Sequence, residues 1–479
     1  MNFNINIGKL INNILLILIF FLPFQVFTCN VFHVPSYIQI YYIFLITGLC
    51  FLGLRIITKK HIYVNKTILI LYGIFFILSI VSSSYNFNKV FDINPYIYKL
   101  QVVTYTPLWD NPLIRTWYLG FFRTGLLFIF ILIIYNFFNS NKNIEKVIKL
   151  FFILGFITTI YSIYQIISTK YGLPYGAIFS NRDESEVAQL FNIRRLDGVF
   201  FEPSPQAGFL STIWCVALSQ ILGKNKQIIL FSKRIMIIFL ILSLVVMCLT
   251  FSPIGIFTPI IAMPLLLFYY YKNHIIKLFK RNYAFIIIIF TIFILTMSFL
   301  YIKYKNYNVL QNNNTIISYI IDKIQISTVE LNDPIIYSNQ DSRSVRNYAG
   351  IKMFQDNPIL GIGPGNSGFF YFSYIPFVNF SKMSNLSPLI NVYISLLGEN
   401  GLLGFIVFLL LLLYPFYLAK THKLLKYRSL IIGLLVAYFI ILLITFFSYS
   451  YDKDPTFWII YILLIKLILQ NEYIKRNSK

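Results

Sequence analysis

DSRSVRNYAGIKMFQDNPILGIGPGNSGFF, residues 341–370, is the stretch from which the organisation of the rest of the chain can be read. Its first half repeats apolar residues at near-helical spacing, which predicts a short helix. Asn357-Pro358 ends that helix, because proline lacks the amide hydrogen and disfavours helical geometry in the residue before it. The glycines that follow predict a loop whose backbone can approach a ligand closely: Gly361, Gly363 and Gly365.

Two arginines begin the predicted helix, and a second stretch follows it. Arg343 and Arg346 are three positions apart and share a face of the first turn. Two guanidinium groups beside exposed N–H groups are suited to an anion, above all a phosphate. The second stretch, SPLINVYISLLGENGLLG at 387–404, leads into a long apolar run. Glu399 in its turn fits a helix cap and an orienting partner better than a proton-transfer group.

Composition places the chain among membrane proteins. Of its 479 residues 58% are hydrophobic and only 12% are charged, which is too apolar for a soluble protein. The formal net charge of +23 does not indicate nucleic acid, because the basic residues fall in short clusters between apolar runs. No cysteine pair or acidic pair has metal spacing, and no P-loop, GxSxG or HExxH is present. We therefore expect no metal and no cofactor.

The apolar runs predict an all-α polytopic fold of about twelve transmembrane helices. They lie at 10–29, 37–56, 67–83, 118–138, 150–168, 206–222, 235–251, 254–271, 284–302, 400–419, 429–448 and 457–470. Basic clusters follow every even-numbered run, so both termini are predicted to be cytoplasmic. The chain then divides into helices 1–9 over 1–302, an extracytoplasmic loop over 303–399, and helices 10–12 with a cytoplasmic tail over 400–479. The other long outer segments are 84–117 and 169–205.

The outer segment 169–205 ends in a second candidate motif, NIRRLDGVFFEPSPQAGFL at 192–210. Arg194 and Arg195 either bind an anion or pair with Asp197 or Glu202 in a surface network. Glu202, just before a predicted membrane helix, is either a membrane-facing base or a carboxylate that suits the helix dipole.

Arg123 lies inside the fourth apolar run, near its predicted outer end. Charge within a membrane usually faces a cavity or a partner. This arginine either binds lipid phosphate or extends its side chain to the interface.

The order of these elements resembles the O-antigen polymerase and ligase superfamily: Arg343 on a short helix, then NPILGIGPGN, then GENGLLG before an apolar run. The polymerase branch often shows Arg-x-x-Gly followed by Glu-Pro, which here is Arg195 with Gly198 and Glu202 with Pro203. The superfamily also has a Ser-x-x-Gly element, here SPIG at 252–255, which we interpret as a plain hairpin turn. Ligases usually begin the last segment with His-Asn, where this chain has Ile390-Asn391. All four histidines lie elsewhere: His33, His61, His274 and His422.

The resemblance implies a Wzy-type glycan polymerase, a metal-independent glycosyltransferase of the bacterial inner membrane. Such an enzyme moves a growing oligosaccharide from polyprenyl diphosphate onto the next lipid-linked repeat unit at the outer face, making O-antigen, capsule or exopolysaccharide. Its partners are that lipid-linked substrate and membrane lipids, with a chain-length regulator and a flippase as further candidates. The alternatives are an O-antigen ligase and a polysaccharide flippase.

The candidate site residues follow from both motifs. Catalytic roles are predicted for Arg195, Glu202, Arg343 and Arg346. Substrate binding is predicted for Arg123, Arg194, Gly361, Gly363, Gly365, Asn366, Asn391 and Glu399.

Overall fold

The computed structural model describes residues 7–24, 40–86, 118–174, 189–190, 193–200, 202–223, 231–272, 343–374, 389, 391–422, 427–444 and 455–476. These residues are nearly all helical. The helices are α1 (Ile7–Phe21), α2 (Ile40–Ile57), α3 (Lys66–Tyr85), α4 (Thr124–Phe137, preceded by a π-helical turn at Tyr118–Arg123), α5 (Asn141–Tyr171), α6 (Pro203–Leu222), α7 (Lys233–Leu249), α8 (Pro253–Lys272), α9 (Arg343–Asp356), α10 (Ser367–Tyr374), α11 (Val392–Thr421), α12 (Arg428–Ile444) and α13 (Pro455–Arg476). A short 3₁₀ turn, Leu22–Phe24, follows α1.

Several of these helices are apolar and long enough to cross a membrane. Six meet both conditions, and three shorter apolar helices accompany them at Phe121–Phe137, Arg428–Ile444 and Pro455–Gln470. Described helices overlap every predicted apolar run except 284–302, which lies outside the described residues. The chain is therefore a multi-pass membrane protein, and the number twelve stays a prediction.

Two local features differ from the sequence prediction. The first is a small antiparallel hairpin, β1 (Gln189–Leu190) and β2 (Ile193–Arg194), which pairs Gln189 with Arg194 within the predicted outer segment. The second is the start of α11, which lies at Val392 and not near residue 400. The helix starts earlier because the Asn391 side chain accepts hydrogen bonds from the backbone N–H groups of Tyr393 and Ile394 at 2.9 and 3.2 Å.

Helices α6 and α12 form one close antiparallel pair. A Cβ atom at Gly433 would lie 2.7 Å from the Cα of Val216, so the absence of a side chain allows the two backbones to approach. The Ser219 hydroxyl donates to the Ser429 carbonyl at 2.5 Å, one turn further along. This register places the start of α6 level with the end of α12.

Helix α11 is the centre of the second packed group. Helices α3 and α9 both lie against it. Aromatic contacts hold α3 in place: the rings of Phe75 and Phe408 have centroids 4.9 Å apart, and Tyr72 stands edge-on to Trp458 of α13 at 6.3 Å. As a result, the end of α3, the start of α11 and the loop after α9 meet at one end of the molecule.

Candidate active site

Helix α9 is held by a small apolar cluster of its own. Ala349 and Met353 are fully buried against Ile362, Tyr371 and Leu389. The helix ends at Asp356, as the Asn357-Pro358 pair predicts, and Asn357 donates from its backbone N–H to the Met353 carbonyl at 3.0 Å. The apolar cluster thus fixes the helix that carries Arg343 and Arg346.

The ends of α9 and α10 are also tied together. Burial, together with the charge of the neighbouring Asp356 carboxylate and a hydrogen bond to it, raises the pKa of the Tyr374 hydroxyl to about 12. Tyr374 is consequently neutral at physiological pH and acts as a hydrogen-bond donor to Asp356. This contact lies outside the predicted membrane-spanning segments.

The glycine loop approaches the backbone of α11 closely. Gly361, Gly363 and Gly365 have φ angles of 68°, 95° and 75°, which favour glycine. The backbone N–H groups of Ile362 and Gly363 donate to the carbonyls of Gly398 and Glu399 at 3.0 and 2.9 Å. The close approach predicted for this loop is made to the protein's own helix, and a direct role of these glycines in binding substrate stays a prediction.

Glu399 connects α11 to the start of α10. Its Oε2 accepts from the Gly365 N–H at 2.9 Å, and its Oε1 accepts from the Ser367 hydroxyl at 2.7 Å. The side chain is buried, and it lies at the positive end of the α10 dipole. This is the geometry of an orienting residue, in which both carboxylate oxygens have donors.

Helix α11 is interrupted at Gly401, two residues after Glu399, and the interruption lies against the same glycine loop. Gly401 has φ 65° and ψ −172°, and a Cβ there would lie 2.6 Å from the Gly361 nitrogen. Beyond the break, the Leu402 N–H donates to the Pro358 carbonyl at 2.8 Å. The backbones of the NPILGIGPGN and GENGLLG segments are therefore in direct contact and hydrogen-bond to each other.

Three polar side chains around this contact have structural partners. Asn366 is fully buried and donates to the Ile362 carbonyl at 3.0 Å. Asn391, also buried, caps α11. The hydroxyl of Tyr393, two residues later, donates to the Leu442 carbonyl at 2.6 Å and links α11 to the end of α12.

The end of α3 supplies residues that the sequence analysis missed. The Ser82 hydroxyl donates to the Leu360 carbonyl at 2.5 Å, and the Asn86 side chain donates to the Gly361 carbonyl at 2.8 Å. Both side chains are fully buried. The polar run SSSYN at 82–86, directly after an apolar run, is the signal that could have found them.

Arg195 lies against the turn between α7 and α8. Its Nε donates to the Thr250 carbonyl at 3.0 Å, and the Leu196 N–H donates to the Leu249 carbonyl at 3.2 Å. The hydroxyls of Ser204 and Ser252 are 3.2 Å apart. The arginine motif and the SPIG turn, distant in sequence, thus form one surface.

A buried polar network shapes the loop after Arg195. Asp197 is buried, and its Oδ1 accepts from the Gln165 side chain of α5 at 2.6 Å. The Gly198 N–H donates to the other end of the same amide at 3.0 Å. Gly198 has φ 56°, and a Cβ there would lie 2.6 Å from the Gln206 side-chain nitrogen. Glycine is therefore required at this turn on grounds of both conformation and space.

The remaining predicted residues have the following positions. Glu202 occupies the cap position before Pro203 and makes no capping hydrogen bond to α6. Arg346 is buried in the first turns of α9, and Arg343 begins that helix. Arg123 is a partly buried residue that ends the π-helical turn, and Arg194 lies in β2.

Both arginine motifs lie at the same end of the helix bundle. The register of α6 against α12 places Glu202 level with the end of α12, where Leu442 accepts from Tyr393. Of the two histidines that the structure describes, His422 follows the opposite end of α11 and His61 precedes α3. His33 and His274 lie outside the described residues.

Residues 238–409 match the family described as O-antigen ligase. The match begins within α7 and ends within α11, so it includes α9, the glycine loop and Glu399. It confirms the resemblance to the O-antigen polymerase and ligase superfamily that the motifs predict. No curated protein matches the chain significantly. The O-antigen ligase family indicates a glycosyltransferase-like membrane enzyme of polysaccharide biosynthesis with lipid-linked oligosaccharide substrates.

Proposed function

We propose that the chain is a glycan polymerase. It transfers a growing oligosaccharide from polyprenyl diphosphate to a hydroxyl of the next lipid-linked repeat unit, at the outer face of the cytoplasmic membrane. The observation that carries this proposal is the start of α11. Ile390 stands where a ligase of the superfamily usually has histidine, and the neighbouring Asn391 is committed to capping the helix.

The chemistry requires charge stabilisation more than proton donation. The bond between the anomeric carbon and the diphosphate oxygen breaks, and a bond from that carbon to the acceptor oxygen forms. Negative charge develops on the departing diphosphate, which is already a good leaving group. Arginine suits this task because its planar fork can donate two hydrogen bonds to a phosphate in fixed geometry. We assign it to Arg195, Arg343 and Arg346, with Arg123 and Arg194 on the path of the lipid-linked substrate.

The acceptor hydroxyl loses its proton during transfer, and we assign Glu202 as the base. What supports this role is its position: it is partly exposed beside the Arg195 loop, and its carboxylate is not used to cap α6. A carboxylate within reach of the acceptor can take the proton as the new bond forms. Glu399 is not assigned as the base, because both of its oxygens accept hydrogen bonds from the loop and the start of α10.

A ligase, which transfers a finished glycan to a different acceptor, is the second candidate. The matched family is described as O-antigen ligase, and the match is compatible with either function. The same arginines would then serve the same leaving group, and the acceptor would differ.

Glycan length in cells that lack this protein separates these functions. Loss of the ladder of polymer lengths, with a single repeat unit retained, is the expected result. Full-length glycan that stays unattached would establish the ligase, and absence of any exported glycan would point to a flippase. Re-expression of the unaltered chain must restore the ladder for any of these outcomes to count.

A further inference from the structure

Two cationic side chains, Arg55 and Lys466, lie near the ring of Tyr63, at the end of the molecule opposite the glycine loop. Arg55, near the end of α2, has its guanidinium carbon 5.5 Å from the centre of the Tyr63 ring. Lys466, in the middle of α13, has its ammonium nitrogen 5.8 Å from the same ring and 3.5 Å from the centre of the Tyr135 ring. Lys466 is only 5% exposed. Neither residue belongs to the site described above.

The partners that the structure describes for these two cations are all neutral. The Lys466 ammonium lies 3.4 Å from the Asn139 side-chain oxygen, and Arg55 donates to the His61 carbonyl at 2.6 Å. The Nε of Arg55 is buried without a hydrogen-bond partner among the described residues. The two positive charges are also close enough to repel each other. A buried charge without a counter-charge costs several kcal/mol, and aromatic rings recover only about 2 kcal/mol of that.

Tyr63 is fixed in place between these cations. Its backbone N–H donates to the Asn136 side chain at 2.8 Å, and its carbonyl accepts from the same side chain at 3.0 Å. These two bonds order the backbone at Tyr63, which reduces the entropy lost there when a ligand binds.

The surroundings indicate what kind of anion would fit. Helix α3 has 20 residues and is about 30 Å long, so this cluster lies roughly one hydrocarbon thickness from the glycine loop at the other end of α3. Beside it is a shallow, open groove between α3 and α4. Its polar lining residues are Asn65 and Tyr135. The other lining residues are apolar: Val64, Ile68, Leu69, Phe128, Ile131 and Leu132. A phosphate with an acyl chain attached matches this combination of charge and apolar surface.

We propose that Arg55 and Lys466 bind the phosphate of an anionic phospholipid headgroup, with part of an acyl chain lying along the apolar groove between α3 and α4. Basic pockets between membrane helices at the membrane surface are suited to such headgroups. The proposal does not depend on the activity proposed above, because the two sites are at opposite ends of α3.

The test measures phospholipid binding to the purified full-length chain in detergent by native mass spectrometry. Phosphatidylglycerol and phosphatidylcholine, matched in acyl chains, are compared in about 0.5 M ammonium acetate, a volatile salt at which exposed charges are screened within a few ångströms. The variant is R55Q/K466M, and the matched control is K59Q/K60Q, which removes two exposed lysines from the same connection.

The R55Q/K466M variant should bind phosphatidylglycerol about 30-fold more weakly, since each cation contributes about 1 kcal/mol. The control should lose less than about threefold at this salt concentration. Equal losses in both variants, or equal binding of the two lipids by the unaltered chain, would overturn the proposal. If inorganic phosphate alone displaces phosphatidylglycerol at millimolar concentration, the ligand is a soluble anion and the lipid assignment fails.

A second measurement separates binding from folding. K466M removes a buried cation, so in detergent without phosphatidylglycerol its thermal stability should equal or exceed that of the unaltered chain. The stabilisation gained on adding phosphatidylglycerol should shrink, because only the native state binds the lipid. A variant that is less stable without lipid, yet gains as much from lipid, would contradict the proposed site.

Discussion

Replacing Glu399 by glutamine tests the contact that holds the glycine loop. The carboxylate accepts from the Gly365 N–H at 2.9 Å and from the Ser367 hydroxyl at 2.7 Å. Glutamine keeps one carbonyl oxygen for the Gly365 N–H and presents an NH₂ group to Ser367, whose hydroxyl must turn from donor to acceptor and so loses the carboxylate as the acceptor of its own proton. Hydrogen bonds to charged groups contribute about 1.5–3 kcal/mol, and a buried donor left without a partner costs about 1–3 kcal/mol. We therefore expect E399Q to destabilise the loop and α10 locally by about 2 kcal/mol.

Hydrogen exchange measured by mass spectrometry reports this local opening directly. A loss of 2 kcal/mol corresponds to an increase of about 30-fold in exchange of the peptides that cover 361–374. The matched control is E145Q, which removes a partly exposed carboxylate from α5. Peptides from α6 and α12 should exchange at unchanged rates in both variants.

A double-mutant cycle isolates the pair. S367A removes one donor, and its effect combined with E399Q should be less than the sum of the two single effects, by about 1 kcal/mol. Unchanged exchange over 361–374 in E399Q would refute the reasoning, and so would additivity of the two substitutions.

Four further changes test the site. G401A should abolish stable insertion or folding, because alanine is strained at φ 65° and its Cβ would meet the loop backbone. The control G53A should be tolerated, because the space around Gly53 is open. Protein level and gel filtration measure the effect of both substitutions. R195K should lower polymer formation by roughly 10- to 100-fold, since lysine keeps the charge and loses the fork; wild-type ladders from R195K would contradict the phosphate role. E202Q should slow transfer by about 100-fold at unchanged protein level if Glu202 is the base, and unaltered ladders would remove it from that role. Replacing all four histidines by glutamine should leave the ladder intact, and its loss would favour the ligase.

Much of the site's local structure could be predicted from the sequence, because it rests on residues with strong local effects. Asn357-Pro358 ends α9 where expected, and the three glycines adopt the conformations that glycine alone adopts readily. The partner of the loop could not be predicted. The Gly398 and Glu399 carbonyls that bind it belong to the backbone, and backbone groups carry no signal in the sequence.

Long-range contacts were the other part that sequence reasoning missed. The SPIG turn was interpreted as a plain hairpin turn, yet the carbonyl of Thr250 just before it accepts from Arg195. Lys466 was counted within an apolar run, although a charge in the middle of such a run usually marks a cavity or a partner. Its neighbour Tyr135 is more than 300 positions away, and no periodicity links two such helices.

The hydrogen-bond partners of Glu399 are neutral donors, and this bears on how its buried charge is used. The chain has 40 lysines and arginines against 17 acidic residues, so a buried carboxylate close to an arginine motif would ordinarily form an ion pair. Both oxygens of Glu399 are instead used by Gly365 and Ser367. A carboxylate satisfied in this way orders the loop without competing with a diphosphate for a guanidinium group. The negative charge of Glu399 is thus placed in the framework of the loop, where it accepts hydrogen bonds from neutral donors.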